Sequence, residues 1–294
     1  MKERSGIKEI LVALGKAAAY TLVFVVVQFG VTLVAMTVYG AMQGFGLLAA
    51  GGEFMDPTQM IEVISEFALN YSAELLALAN AVLVLVLMIF FRTRRKRLSI
   101  ETQLSPIGVG KIGVSIACAI ACAFVIGCGM SLIPFPEAMM AEYEALAGVT
   151  LGGTGVIAFL SIVVVAPVAE ELVFRGLVYT RLRRALPVAA ACLIQSLLFG
   201  LMHGVAIWIL YAAFLAVVMT VIFERYGSLW ASIAFHVAMN LVGSYVLPNL
   251  PLETEASLWI TLGVSLLVAC ALMVLVFRQT RKPDTAPESA EGAS

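Results

Sequence analysis

The polar residues that could do chemistry in this sequence are few, and they lie within otherwise apolar stretches. Two glutamates are adjacent in the run APVAEELVFRG, and an arginine follows the second of them by four residues. The only two histidines of the chain lie further on, and an asparagine follows the second histidine by four residues. In chain order the set is Glu170, Glu171, Arg175, His203, His236 and Asn240. Charged groups are costly inside a membrane, so those found there usually pair or line a functional site.

Helical spacing separates the two adjacent glutamates. Residues four apart share one face of a helix, so Glu171 is expected to form an ion pair with Arg175. Glu170 lies about 100° around the helix from its neighbour and is left free for other work. Two further pairs share a face by the same four-residue step: Phe199 with His203, and His236 with Asn240.

This set of side chains could hydrolyse an amide bond. A glutamate beside a histidine can deprotonate a water molecule, which then attacks a carbonyl carbon. A second histidine and an asparagine can donate hydrogen bonds to the oxyanion that forms. Two histidines and a glutamate, here His203, His236 and Glu170, are alternatively a ligand set for a divalent metal such as zinc. The sequence has no H-E-x-x-H helix, so its spacing favours the metal site less. A serine–histidine pair, and purely structural hydrogen bonds between helices, are further alternatives.

The elements that position these residues are predicted from composition. The 294 residues are 62% hydrophobic and 13% charged, whereas soluble domains have about 25% charged residues. A membrane span needs about 20 apolar residues, and we expect an all-α, polytopic membrane helix bundle. About eight transmembrane helices are predicted, near Ala17–Leu48, Asn70–Phe91, Ile112–Ile133, Gly152–Tyr179, Val188–His203, Ala206–Phe223, Ser228–Leu247 and Ser257–Phe277. This divides the chain into N-terminal membrane helices with about three spans, a central core, a last transmembrane helix and a disordered cytoplasmic tail, at 1–150, 151–247, 248–278 and 279–294.

Lysine and arginine are distributed unevenly between the predicted connections. Of the 18 basic residues, all except Arg175 lie near the termini or in alternate connections, such as RTRRKR at 92–97. The intervening connections contain acids but no lysine or arginine, and these are 49–70, 134–151 and 248–256. Since basic residues accumulate in cytoplasmic segments, we expect both termini in the cytoplasm.

The turns predicted at Pro187 and Gly227 give the depth of the polar residues. Glu170 lies 17 residues before Pro187, and His203 lies 16 residues after it. His236 is nine residues beyond Gly227, which is about 13 Å along a helix. The three side chains are therefore expected to converge at one level, in the cytoplasmic half of the bundle.

The three motifs, in this order, resemble those of a known family of membrane proteases. Its motifs correspond to Glu170-Glu171-x-x-x-Arg175, Phe199-x-x-x-His203 and His236-x-x-x-Asn240. The family comprises the CAAX prenyl protease 2 and bacteriocin-processing (CPBP) intramembrane proteases, also called Abi or lysostaphin-resistance-protein-A-like. The resemblance covers about residues 150–245, and it makes 151–247 a CPBP-type protease core.

The resemblance implies a fold and a role for each residue. The fold is an eight-helix bundle with a conical cavity open toward the cytoplasm. Glu170 would activate water together with His203. The oxyanion would be stabilised by His236 and Asn240, and the structural partners are Glu171 and Arg175. The resemblance leaves open whether the family uses a metal. It therefore also leaves open a zinc ion held by the two histidines and the first glutamate.

The sequence therefore predicts an intramembrane endopeptidase of the CAAX prenyl protease 2-like type. Its expected partners are membrane lipids and a peptide or protein substrate, with or without a lipid modification, and not a nucleic acid. The expected location is the plasma membrane of a bacterium. The alternative is a non-catalytic bacteriocin-immunity or scaffold protein of the same fold. A transporter is less favoured, because no inverted repeat is evident.

Overall fold

The structure is a computed structural model that describes residues 6–151, 155–252 and 254–279. These residues form helices and connecting segments without a β-strand, which confirms the all-α class. Eleven helices are distinguished in this described part: α1 (Ile7–Ala49), α2 (Pro57–Asn70), α3 (Ser72–Thr93), α4 (Leu98–Glu101), α5 (Val109–Leu132), α6 (Glu137–Leu151), α7 (Val156–Ala185), α8 (Val188–Leu201), α9 (Ala206–Tyr226), α10 (Leu229–Asn249) and α11 (Glu255–Arg278). The predicted tail lies outside the described residues from position 280 onward.

Seven of the described helices are long and apolar enough to cross a membrane, and they are α1, α3, α5, α7, α9, α10 and α11. The protein is an integral, multi-pass membrane protein. The remaining predicted span is present as α8, which has only 14 residues. That length is about 21 Å, short of the hydrocarbon thickness of about 30 Å. The chain reverses after α8 at Gly204, whose φ of 84° favours glycine.

Three helices lie where the sequence was expected to form only connections, namely the short α4 and the longer α2 and α6. Helix α2 is capped by Asp56, whose side chain accepts hydrogen bonds from the backbone N–H groups of Thr58 and Gln59. The Gln59 side chain in turn accepts a hydrogen bond from the backbone N–H of Asp56. This reciprocal capping box, together with Pro57 at the first helical position, explains why the helix begins there. Helix α6 follows α5 along the chain and packs against α9.

The connections gather at two chemically different ends of the bundle. We call the end with the connections at 94–108, 186–187 and 227–228 the basic end. There Arg181 forms an ion pair with Glu101, and Arg183 Nε lies 3.1 Å from Glu224 Oε1. Burial raises the pKa of Glu101, but the hydrogen bond from Lys96 and the charges of Arg181 and Lys96 hold it below its usual value. We call the opposite end, with the described connecting segments at 50–71, 133–151, 202–205 and 250–252, the acidic end.

The core of the bundle surrounds α7. Its side chains Phe174, Leu177 and Val178 are fully buried, and over half of its most apolar window is buried. This helix contains two π-helical segments, Ser161–Val165 and Leu172–Tyr179. Such wide turns are rare, and they occur often at functional sites. The polar set of the sequence lies on and around this helix.

Candidate active site

The buried ion pair on α7 is the electrostatic centre of the site. Glu171 Oε1 lies 2.7 Å from Arg175 Nη1, and neither side chain is exposed. The guanidinium group lies over the ring of Phe199, 4.3 Å from its centroid, which adds a cation–π contact. The two opposite charges offset each other. Either charge without its partner would be strongly unfavourable at this depth.

Glu171 has a second partner that its spacing did not predict. The same oxygen, Oε1, lies 2.9 Å from His236 Nδ1. A carboxylate paired with arginine only accepts hydrogen bonds, so Nδ1 of this histidine carries the proton and donates it. The ring is thereby oriented with Nε2 toward Glu170. Glu171 therefore joins Arg175 to His236, in the way that a buried carboxylate orients a catalytic histidine.

Glu170 faces a cavity while its neighbour is enclosed. Its side chain is 19% exposed, and its Oε2 lies 3.8 Å from His236 Nε2. This separation is longer than a hydrogen bond, and a water molecule can bridge two polar atoms across such a gap. The two glutamates therefore differ as the spacing predicted, one being enclosed in the protein and one available to a ligand.

His203 lies at the end of α8 and enters the same cavity. Its Nδ1 lies 3.0 Å from the carbonyl oxygen of Phe199, which can only accept, so Nδ1 bears the hydrogen and Nε2 keeps its lone pair. The ring of Phe199 lies 4.8 Å from that of His203 and 5.8 Å from that of His236. The close approach of α8 to α9 requires Gly200, since a Cβ there would lie 2.7 Å from the Ile209 carbonyl oxygen.

Asn240 has a structural partner that limits what it can do. Its Nδ2 donates to the carbonyl oxygen of Ile162 at 2.9 Å. The N–H of Ala166 bonds to the carbonyl of Ser161 in the π-helical pattern. One residue further on, that pattern would require an N–H from Pro167, which has none. Asn240 therefore satisfies a carbonyl that the proline leaves free, and only its second amide hydrogen remains for another acceptor.

The cavity has a volume of about 700 Å³ and brings together four of the six predicted residues in its lining, namely Glu170, His203, His236 and Asn240. The lining does not include Glu171 or Arg175. A second cavity of about 520 Å³, between α1 and its neighbours, contains none of the six. The larger cavity is within the volume range of small-molecule and peptide sites.

The cavity extends toward the acidic end of the bundle. From Glu170 it continues past Ser244 to Ser131, Thr150 and Leu252 at the acidic end. The resemblance predicted a cavity open to the cytoplasm, and the basic residues predicted that the basic end lies on that side. The described lining contains no residue of the connections at the basic end, so these two expectations do not hold together. Helix α8 ends at Leu201, and His203 lies just beyond it in the lining of the same cavity as Glu170.

The three residues considered as metal ligands do not form a metal-binding group in this structure. No group of three or more His, Cys, Asp or Glu side chains among the described residues is arranged to hold a metal ion. Two of the candidate atoms, Glu170 Oε2 and His236 Nε2, are close, while Nδ1 of His203 is bonded to a carbonyl. We therefore derive no step through a metal.

Several residues of the cavity wall were missed by sequence reasoning. An aromatic group borders His203, in which the Tyr143 ring lies 6.0 Å from Trp208 and 6.4 Å from Tyr211. On the other side, Gln28 lines the cavity and donates to Asn80 Oδ1 at 2.8 Å. The amide side chains within predicted spans were a usable signal, since polar groups there usually pair between helices. Tyr143 lies in a segment that was predicted as a connection, so it had no such signal.

Comparison with known proteins finds one family model that matches the segment containing the site. Residues 152–242 match the family model described as Rce1-like, Type II CAAX prenyl endopeptidase Rce1-like. The matched segment includes all six polar residues of the set. Searches of curated proteins and of solved structures find no match. The match confirms the predicted resemblance over residues 152–242, where the chain is similar to the Rce1-like type II CAAX prenyl endopeptidases.

Proposed function

We propose that the protein is an intramembrane endopeptidase that hydrolyses a peptide bond with a water molecule activated by Glu170. The family match supports a protease of the CAAX type. The observation that carries the proposal is the position of the Glu170 carboxylate in the cavity wall, 3.8 Å from Nε2 of a histidine that Glu171 holds in place. A base next to an oriented histidine inside a cavity is the arrangement that general-base hydrolysis requires.

The first step is attack by water. The Glu170 carboxylate accepts a proton from the water molecule, and the oxygen of that water forms a bond to the carbonyl carbon of the substrate. The unprotonated Nε2 of His203 accepts the second hydrogen bond of the water and helps to hold it. Holding the water and the carbonyl in a fixed arrangement lowers the entropy cost of the reaction.

The second step stabilises the oxyanion and releases the amine. Glu170 passes the proton taken from the water to Nε2 of His236, which donates it as a hydrogen bond to the oxyanion. Glu171 stabilises this imidazolium until the proton returns to Glu170. Asn240 donates its remaining amide hydrogen to the same oxygen. Donors placed in advance toward a developing charge lower the barrier most in a site shielded from water. The intermediate then collapses, the carbon–nitrogen bond breaks, and Glu170 returns its proton to the leaving nitrogen.

The substrate is a peptide or protein that reaches the site within the membrane. The family supports this class of substrate, and we extend it to segments with or without a lipid modification. Apart from Glu170 and the two histidines, the described lining is uncharged, which suits an apolar segment. Location in the plasma membrane of a bacterium stays our prediction.

The test is cleavage by the purified protein in detergent. A mixture of apolar and prenylated peptides is incubated with the native protein and with Glu170→Gln, and the products are identified by mass spectrometry. Glu144→Gln is the matched control, because Glu144 is an exposed glutamate of α6 outside the cavity. We expect cleavage by the native protein and the control only. Equal cleavage by Glu170→Gln would refute the assigned base, and absence of any cleavage would favour the non-catalytic alternative.

A further inference from the structure

The two ends of the bundle differ sharply in charge. The chain has 18 lysines and arginines, and all except Arg175 lie near the termini or the connections of the basic end. The connections of the acidic end contain no basic residue. Basic residues in short connections mark the cytoplasmic side of membrane proteins. This asymmetry orients the basic end toward the cytoplasm and the acidic end away from it.

Among the described residues, the lining of the cavity reaches the acidic end and includes no residue of the connections at the basic end. Its lining there includes residues of four separate elements, namely Ser131, Thr150, Gly204 and Leu252. All four belong to helix ends or connections at that end, and Ser131 and Gly204 are exposed. A peptide entering from this end would therefore meet the mouth first and Glu170 after passing Ser244.

The basic end is closed by packed side chains. Below Glu170 on α7, Phe174 and Leu177 are fully buried, and Tyr179 is 1% exposed. Facing residues of neighbouring helices, Phe223 and Leu229, are equally enclosed. Ion pairs of Arg181 and Arg183 with Glu101 and Glu224 lie beyond this layer, and they hold α7 to the elements of that end. A peptide arriving from the basic end would have to open this packing.

We propose that the active-site cavity takes its substrate from the non-cytoplasmic side of the membrane. The substrate class is then an apolar segment of an exported or membrane-tethered peptide that is exposed on that side, and not the C-terminus of a cytosolic protein. This inference names the substrate of the site and therefore rests on the proposed peptidase function. The orientation of the cavity, however, can be measured without any cleavage.

The first experiment labels single cysteines in intact cells of a bacterial host. In a full-length protein whose five cysteines are changed to alanine, Ser131→Cys tests the mouth, Ser244→Cys tests the cavity wall and Ser99→Cys tests the basic end. A small membrane-impermeant thiol reagent should label the first two in intact cells. It should label Ser99→Cys, an exposed position of α4, only after the membrane is permeabilised. The reverse pattern would overturn the proposal.

A second measurement keeps the native cysteines, and it therefore decides the orientation even where the cysteine-free protein does not fold. Fusion of green fluorescent protein or of alkaline phosphatase to the native C-terminus reports the side of the basic end. We expect the fusion with green fluorescent protein to be fluorescent and the fusion with alkaline phosphatase to be inactive. An active phosphatase would overturn the proposal.

The third experiment connects orientation to activity. A peptide that the detergent-solubilised protein cleaves is added to right-side-out and to inverted membrane vesicles. We expect cleavage at least about tenfold faster in the right-side-out vesicles, and equal rates once detergent opens both. Faster cleavage in inverted vesicles would overturn the proposal. If no peptide is cleaved in detergent, the peptidase function itself fails, and the labelling experiment still decides the side on which the cavity opens.

Discussion

Helices α7 and α11 are similar in hydropathy and opposite in what surrounds them. Their most apolar windows have mean hydropathies of 2.3 and 2.7, and both could cross a membrane. In α7, 56% of that window is buried inside the protein, against 11% in α11. The interior of α7 holds two glutamates and an arginine, whereas α11 has charged residues only at its ends. Hydropathy thus identifies a span, and the charged residues within it identify the helix at the centre.

The difference teaches how a membrane protein can keep charges in its core. The charged face of α7 is covered by neighbouring helices, and each charge is paired or faces a cavity. A lipid-exposed residue in the middle of α11 could not carry a charge at an acceptable cost. The predictions below test whether the two helices differ as strongly in function as in surroundings.

The largest effect on stability is expected from Arg175→Met. This change leaves Glu171 buried without its partner, and breaking a buried ion pair costs about 3–5 kcal/mol. We expect the free energy of unfolding in detergent to fall by that amount, measured by denaturant-induced unfolding. Arg92→Met is the control, because Arg92 is exposed at the end of α3. Equal stability of the two variants would contradict the central role of the ion pair.

Removing both charges separates stability from catalysis. In Glu171→Leu/Arg175→Met the pair is replaced by apolar side chains, a change that is often neutral for buried pairs. We expect stability within about 1 kcal/mol of the native protein. Activity should nevertheless fall about 10²-fold, the lower range for general acid–base groups, because His236 loses the carboxylate that orients it. Full activity of a stable double variant would reduce Glu171 to a structural partner.

Asn240→Ala is expected to have an intermediate effect. The Ile162 carbonyl would lose its donor at a position where Pro167 cannot supply one. An unsatisfied buried acceptor costs about 1–3 kcal/mol, and the loss should appear as a lower unfolding midpoint. If the second amide hydrogen also serves the oxyanion, kcat falls while KM changes little. A variant with native stability would contradict the account of the proline-linked carbonyl.

The smallest effect is expected on α11. Leu267 is 73% exposed on this helix, so Leu267→Ala removes contacts with lipid and few within the protein. We expect the free energy of unfolding to change by less than about 0.5 kcal/mol and cleavage to stay at the native rate. A large loss of either quantity would show that the exposed face of α11 is covered by another protein.

The sequence predicted most of the helices and the pairing of Glu171 with Arg175, because both depend on residues that are close together in the sequence. Spans follow from apolar runs, and the Glu171–Arg175 pair follows from a four-residue step within one helix. Each of these features depends on neighbours in the sequence. The shortness of α8 was missed because its apolar run continues to His203, while the helix ends earlier at a glycine-containing turn.

The remaining features depend on contacts between distant segments. The link from Glu171 to His236 spans 65 residues, and the bond from Asn240 to Ile162 spans 78. Neither is encoded by periodicity, although Pro167 within a span signals that a carbonyl needs an outside donor. The direction of the cavity depends on how bulky side chains such as Phe174 fill one end. The packing of these side chains depends on how the helices lie against one another, which the periodicity of the sequence does not specify.

The central claim is that Glu170 activates the water that cleaves the peptide. The most direct test is a single-turnover reaction in water enriched in oxygen-18, with the native protein and Glu170→Gln at equal, verified folding. The account predicts one oxygen-18 atom in the new carboxyl group of the native product, and a rate at least about 10³-fold lower for Glu170→Gln. Cleavage by Glu170→Gln at the native rate would contradict it.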